Sequence, residues 1–247
     1  MMRIRAFLRR GDVSYQTIKE HLKYYLNKAP ATYNAELKTL HRLMKYLKDE
    51  SILYDFSYAP VDVFPQETPT NEQVRIGFES LKTTLQKAVY LFIATSGLRK
   101  SEMLNLTKRQ VDFETRAIIP KHFTRTKRSG ITFINEEALF WLKKYLSSRE
   151  DSDSKLFKIS DRQWRNLWNT VNENLDIRIT AKKLRLWHSV ELGELGVGDR
   201  YIDTFQGRAP RSTLAKHYTS RGLDRLKAVY DSAGLKIDVN YRKARRS

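Results

Sequence analysis

Cysteine is absent from the 247 residues. That removes disulfide scaffolds, thiolate zinc sites and thiol nucleophiles together, and it suits a reducing cytosol. Long apolar runs are missing too: none reaches the ~18–20 residues needed to span a bilayer. The first ten residues carry four arginines but no apolar stretch of signal-peptide length. Acidic side chains are in the minority, with 28 Asp plus Glu against 46 Lys plus Arg. The five histidines, His21, His41, His122, His188 and His217, show no zinc-motif spacing. There is no P-loop, no G-x-S-x-G elbow, and no tight carboxylate cluster suited to a two-metal phosphoryl-transfer site. No metal and no cofactor is expected. Neither an internal repeat nor a low-complexity block is found.

What is present is enough apolar material for a core, 40% hydrophobic and 11% aromatic residues. A chain of this length buries roughly 70–75% of its unfolded surface. The net charge of +18 calls for a polyanionic partner. Nucleic acid comes first, because cations that neutralise phosphates release counterions. An anionic membrane surface is the rival. If the chain cuts nucleic acid, the absence of a metal motif points to a covalent route, in which a side-chain hydroxyl attacks phosphorus and cations stabilise the charge.

Apolar spacing predicts a helix over 14–28, with Ile18, Leu22, Tyr25 and Leu26 on its face, ended by Pro30. A second, capped by Thr32, carries Leu37, Leu40, Leu43, Met44 and Leu47. The polar faces of these two helices bear Lys19, Lys23, Lys38, Arg42 and Lys45, which can face phosphates or simply water. Pro60, Pro65 and Pro69 make 58–70 an extended linker. Thr70 and Gln73 have capping-box spacing before a helix with Val74, Phe78, Leu81 and Leu85. Leu85–Ala94 is apolar enough for the middle of a core, and Gly97 ends it. Two β-prone runs, Ala117–Pro120 and Ile131–Ile134, flank a basic tip holding Lys121, Arg125, Lys127 and Arg128. Helices are expected over 136–148, 162–175, 182–195, 199–205, 212–219 and 223–233. The fold class is therefore mainly α with a small antiparallel sheet.

Residues 94–106 read ATSGLRKSEMLNL, an apolar helix, a glycine turn and then Arg99 opening the next helix. An arginine held there can aim its fork at two phosphate oxygens. The segment resembles the first arginine box of the tyrosine recombinases (the phage-integrase family), of the form T-G-L-R-x-S-E-L. Residues 181–187, AKKLRLW, resemble the second box, usually H-x-x-R, with Lys182 in the histidine's place and Arg185 in the arginine's. Phe205-Gln206-Gly207-Arg208 resembles the Gly-His element, with Arg208 replacing histidine. Tyr218, in STLAKHYT, takes the nucleophile's place. The order and spacing agree over 70–233. The K-x-x-R box is most similar to integrases of archaeal viruses of the fusellovirus type.

The resemblance implies a site-specific recombinase or integrase acting on double-stranded DNA, without metal or ATP, through a 3′-phosphotyrosine on Tyr218. Arg99 and Arg185 would clamp the non-bridging oxygens. Lys182 and Arg208 would bind phosphate and favour phenolate. A hairpin lysine, Lys127 or otherwise Lys121, would protonate the leaving 5′-oxygen. Glu102 would orient the cations or cap its helix. The domain reading is a shortened core-binding-like domain at 1–57, a linker at 58–70, a catalytic domain at 71–235 and a basic, disordered tail at 236–247. Leu223, Leu226 and Val229 have the spacing either to dock on a neighbouring copy in a tetramer or to pack on their own domain. Such a protein would work in the cytoplasm on the host's nucleoid. Two other readings remain: a non-catalytic DNA-binding protein on the same scaffold, and strand relaxation of the type IB topoisomerase kind.

Overall fold

The computed structural model describes residues 7–8, 12–62, 66–120, 130–208 and 222–238. The chain divides into two compact units, Met1–Gln66 and Glu67–Ser247. In the first, the Ser14 side chain accepts from the Thr17 amide and opens helix α1 (Tyr15–Leu26). Helix α2 (Pro30–Leu47) has Ala29 as its N-cap and Pro30 in its first turn. Proline lacks an amide hydrogen that this position leaves unbonded anyway, so Pro30 starts the helix and Thr32 lies inside it rather than capping it. Ile18, Leu22, Leu37, Leu40, Leu43 and Met44 are buried as expected, together with Phe7 and Leu53. Leu26 and Leu47 are not: they are 65% and 46% exposed, each at the last residue of its helix, off the buried stripe. Asn34 bonds both the carbonyl and the amide of Ala59 at 2.8 Å, and the Tyr58 ring stacks on His41. Residues 58 and 59, read as linker, are thus fastened to this unit.

The second unit opens with α3 (Asn71–Glu79), whose Thr70–Gln73 capping box is fully made. A second such box, Thr83–Gln86, starts α4 (Thr84–Ser96), and Gly97 ends it in the left-handed region at φ 61°. Every residue from Ala88 to Ser96 is buried, which suits a helix apolar on all sides. Truncating Leu91 to alanine should cost about 2–5 kcal/mol. After α4 come α5 (Lys100–Leu104), strand β1 (Ala117–Ile118) and strand β2 (Thr132–Phe133). The strands pair antiparallel, with Ala117 opposite Phe133, and form the only sheet among the described residues. Helices α6 (Glu136–Ser147), α7 (Asp161–Asn172), α8 (Ala181–Glu194), α9 (Asp199–Phe205) and α10 (Gly222–Ala233) follow. α6 and α8 pack against the buried α4, and Thr132 ties β2 to the end of α4 by donating to the Ser96 carbonyl at 2.7 Å.

The C-terminal part folds onto its own unit. Leu226, Tyr230, Ala233, Leu235 and Ile237 lie in the core, with Leu223 and Val229 half buried beside them. The buried Glu137 carboxylate accepts from the Ile237 and Asp238 amides at 2.9 and 3.0 Å. Residues 237 and 238, expected in a disordered tail, are 3% and 9% exposed because Glu137 and the core hold them. The remainder of that tail, 239–247, and the expected helix over 212–219 lie outside the described residues.

Candidate active site

Arg99 is the N-cap of α5, directly after the α4 turn. Its amide donates to Glu102 Oε2 at 2.8 Å and its guanidinium Nη1 to Glu102 Oε1 at 2.6 Å. Glu102 therefore both caps the helix and orients the arginine. Its Oε2 is also 4.0 Å from Arg185 Nη1, so one carboxylate lies between two arginines remote in sequence.

Arg185 sits in the second turn of α8, one turn after Lys182. Its fork donates to two main-chain carbonyls, that of Gly97 at the end of α4 and that of Gln206, at 2.5 Å, at the end of α9. The side chain is only 12% exposed. Burial, followed by the charges of Arg99 and Arg208, brings its pKa down to about 10, so it stays cationic at neutral pH.

Gln206 and His188 close this arrangement, and neither was singled out from sequence. Gln206 is fully buried, and its amide nitrogen donates to the Arg185 carbonyl at 2.8 Å and lies 3.1 Å from His188 Nδ1. Thus the arginine and Gln206 bond each other's main chain. His188 is fully buried, and burial together with Arg185 lowers its pKa to about 3, leaving it neutral. Gly97 is required here for two reasons. Its φ is positive, and a Cβ on it would sit 2.5 Å from His188 Nδ1. The sequence signal was available: His188 follows Arg185 by one helical turn, and Gln206 directly precedes the Gly-Arg pair.

Arg208 follows Gly207, whose φ is 58°. Its amide donates to the Asp203 carbonyl at 2.8 Å, and its guanidinium, 44% exposed, lies 3.6 Å from the Asp203 carboxylate. Lys182 is exposed at the start of α8, which Thr180 caps. The structure thus brings together Arg99, Arg185 and Arg208 around Gln206 and Glu102, with Lys182 one turn away. Lys121, Arg125, Lys127, Arg128 and Tyr218 lie outside the described residues. Lys19, Lys23, Lys38, Arg42 and Lys45 are exposed on α1 and α2 of the first unit. Among the described residues no group of three His, Cys, Asp or Glu could hold a metal ion, and no helix is long and apolar enough to cross a membrane.

The other tyrosines near the site differ in readiness. Tyr230 is buried, donates to the Thr95 carbonyl at 2.7 Å, and has its pKa pushed well up by burial. Tyr201 is half buried between Arg225 and Arg200, which hold its pKa below the usual value.

The fold is that of solved recombinases. A lambda integrase dimer bound to a COC′ core site matches with TM-score 0.64 and 13% identity over 85% of this chain and 86% of that one. A XerA recombinase crystal structure matches with TM-score 0.52 and 18% identity over 95% and 90%. The chain belongs to the phage integrase family, whose profile matches residues 70–222. Tyrosine recombinase XerA of Thermococcus onnurineus is 29% identical over 178 residues, 67% of this chain and 62% of that protein. That match spans less than two thirds of the relative's length. XerA of Pyrococcus horikoshii is 24% identical over 233 residues, 89% of this chain and 81% of its own.

Proposed function

We propose that this protein is a site-specific DNA recombinase that cleaves and rejoins strands through a 3′-phosphotyrosine at Tyr218. The observation that carries the reading is the convergence of Arg99 and Arg185 on Glu102, with Arg185 locked to the residue before Gly207-Arg208. The two held guanidinium groups of Arg99 and Arg185, with the more exposed Arg208 beside them, make a positive site of the kind that stabilises a phosphorane. Family membership and the DNA-bound state of the lambda and Tn1549 integrase neighbours support duplex DNA as the substrate.

The Tyr218 oxygen bonds to phosphorus and the bond from phosphorus to the 5′-oxygen breaks. Lys127 supplies the proton to that oxygen, or Lys121 does if the hairpin places it there. A phenol has a pKa of about 10, so nearby cations help it to ionise. Arg99 and Arg185 bind the non-bridging oxygens, while Lys182 and Arg208 add hydrogen bonds and charge. The ester bond is conserved in the adduct, so attack by another 5′-hydroxyl rejoins DNA with no metal, ATP or other cofactor. Lys19, Lys23, Lys38, Arg42 and Lys45 of the first unit, with Arg125 and Arg128, grip the flanking duplex as a core-binding domain does. Exchange requires several copies on one DNA, and a tetramer in the cytoplasm of the host cell, at its nucleoid, is the assembly we propose.

The test is incubation with a nicked suicide duplex followed by denaturing electrophoresis. Wild type should give a denaturant-resistant adduct, while Tyr218→Phe binds DNA equally and gives none. An adduct that persists in Tyr218→Phe would overturn the assignment and direct attention to Tyr201.

A further inference from the structure

A groove of about 610 Å³ lies beside the arginine cluster, between α7, the segment before α8 and the start of α8. Trp164 and Trp168 line it, edge to face with ring centroids 5.6 Å apart. Lys100 Nζ stands over the Trp164 ring at 4.4 Å. Arg165, Arg178 and Lys182 supply the remaining cations, and among the described residues no Asp or Glu lines the groove.

That absence sets these cations apart from several other arginines of the unit. Arg75, Arg116, Arg149 and Arg208 each pair with a carboxylate. Arg165 and Arg178, by contrast, are exposed and make no ion pair with a described residue. The nearby Asp176 carboxylate is bound by Gln73 at 2.8 Å, and it does not line the groove. Four cations with no counter-charge repel one another unless an anion lies among them. The indole faces add an apolar wall against which a sugar can rest.

We infer that this groove is a second phosphate-binding track, in which Arg165 and Arg178 hold the DNA backbone next to the scissile phosphate. The inference rests on the recombinase reading. Lys182 belongs both to the groove and to the K-x-x-R box, and Lys100 adjoins Arg99. The anions that reach the groove are therefore neighbouring phosphodiesters of the strand bound at the site. The indole floor beneath Lys100 keeps its ammonium at the mouth by cation–π attraction. Contacts of this kind fix register and orientation of the duplex without reading its sequence.

The experiment compares full-length Arg165→Gln, Arg178→Gln, the double variant and Arg178→Lys with Lys143→Gln, which removes an exposed charge from α6 outside the groove. The probe is a synthetic duplex titrated across salt concentrations. Each groove glutamine should lower the slope of log K against log salt by about 0.9 and the double variant by about 1.8. Arg178→Lys and Lys143→Gln should keep the wild-type slope. A double variant with the wild-type slope overturns the inference, as does an equal loss in Lys143→Gln. The suicide-substrate assay on the same proteins separates the two readings. Adduct formation by wild type with unchanged slopes removes the groove alone. Falling slopes without any wild-type adduct remove the recombinase chemistry and leave the groove.

Discussion

Arg185 and Lys182 lie one helical turn apart, yet the protein treats them differently. Arg185 is nearly buried, its fork fixed by the carbonyls of Gly97 and Gln206 and its own carbonyl bound by the Gln206 amide. Lys182 is exposed, and no described residue bonds its ammonium group. Arg99 resembles the first, being held by Glu102, while Arg208 resembles the second, 44% exposed beside Asp203. The site thus has a fixed half and a free half. In the fixed half orientation is set by the protein itself, so on the proposed function a bound phosphate would not have to organise it. In the free half a charge is available without a set direction.

The largest expected effect follows from that difference. Arg185→Lys keeps a cation but cannot bridge two carbonyls and still present a fork. Single-turnover adduct formation should fall about 10²–10³-fold, roughly 3–4 kcal/mol. Arg208→Lys, measured in the same assay, provides the contrast. Equal losses at the two positions would abolish the distinction between the halves.

Second in size is a stability effect on the packing behind Arg185. The folded pKa of His188 is depressed to about 3 from 6.5, so between those values the unfolded chain binds a proton that the native state does not. Stability is present in full above pH 6.5 and falls as pH drops through that window, by up to about 1.4 kcal/mol per unit, or about 2 kcal/mol by pH 5. Denaturant unfolding at a series of pH values should show this acid slope in wild type and a shallower one in His188→Gln. Identical slopes would mean that the neutral ring does not maintain the fixed half.

How much of this was legible beforehand follows from what a residue type can encode. Capping boxes are local, and the Thr70–Gln73 box was read correctly because both partners lie within one turn. Gly97 was legible as a helix stop. Its second duty, giving room to His188, depends on a helix far along the chain. Leu26 and Leu47 misled because periodicity cannot say where a buried stripe ends. Arg99, Lys182, Arg185, Arg208 and Tyr218 came from the resemblance to the recombinase boxes, and of these the structure draws Arg99 and Arg185 together at Glu102 and ties Arg185 to Gln206. The groups that fix Arg185 were not legible, since they are main-chain carbonyls and carry no residue identity. Gln206 and His188 were passed over for a related reason. A buried polar side chain looks like any other until the chain closes around it.

A smaller effect is expected at Lys182. If this lysine donates a hydrogen bond to phosphate, a neutral imidazole can still do so. Lys182→His should then lower the adduct rate by less than about tenfold, within the range of a lost charge-assisted bond. It should also introduce no new limb near the imidazole pKa of about 6.5. A pH–rate profile that acquires such a limb would make position 182 a proton carrier and move it out of the free half.

The smallest effect belongs to Arg208→Lys. The Asp203 carboxylate beside it is 3.6 Å away and 25% exposed, and the Arg208 amide is fixed independently to the Asp203 carbonyl. The backbone therefore presents whatever side chain stands at 208 to the same place. A lysine retains the charge and loses only the planar fork, so the adduct rate should stay within about fivefold of wild type, about 1 kcal/mol. Arg208→Ala, which removes the charge, should fall further. If lysine and alanine were equally damaging, the fork itself would matter at 208. Arg208 would then belong with Arg99 and Arg185, leaving Lys182 as the one freely directed cation among the described site residues.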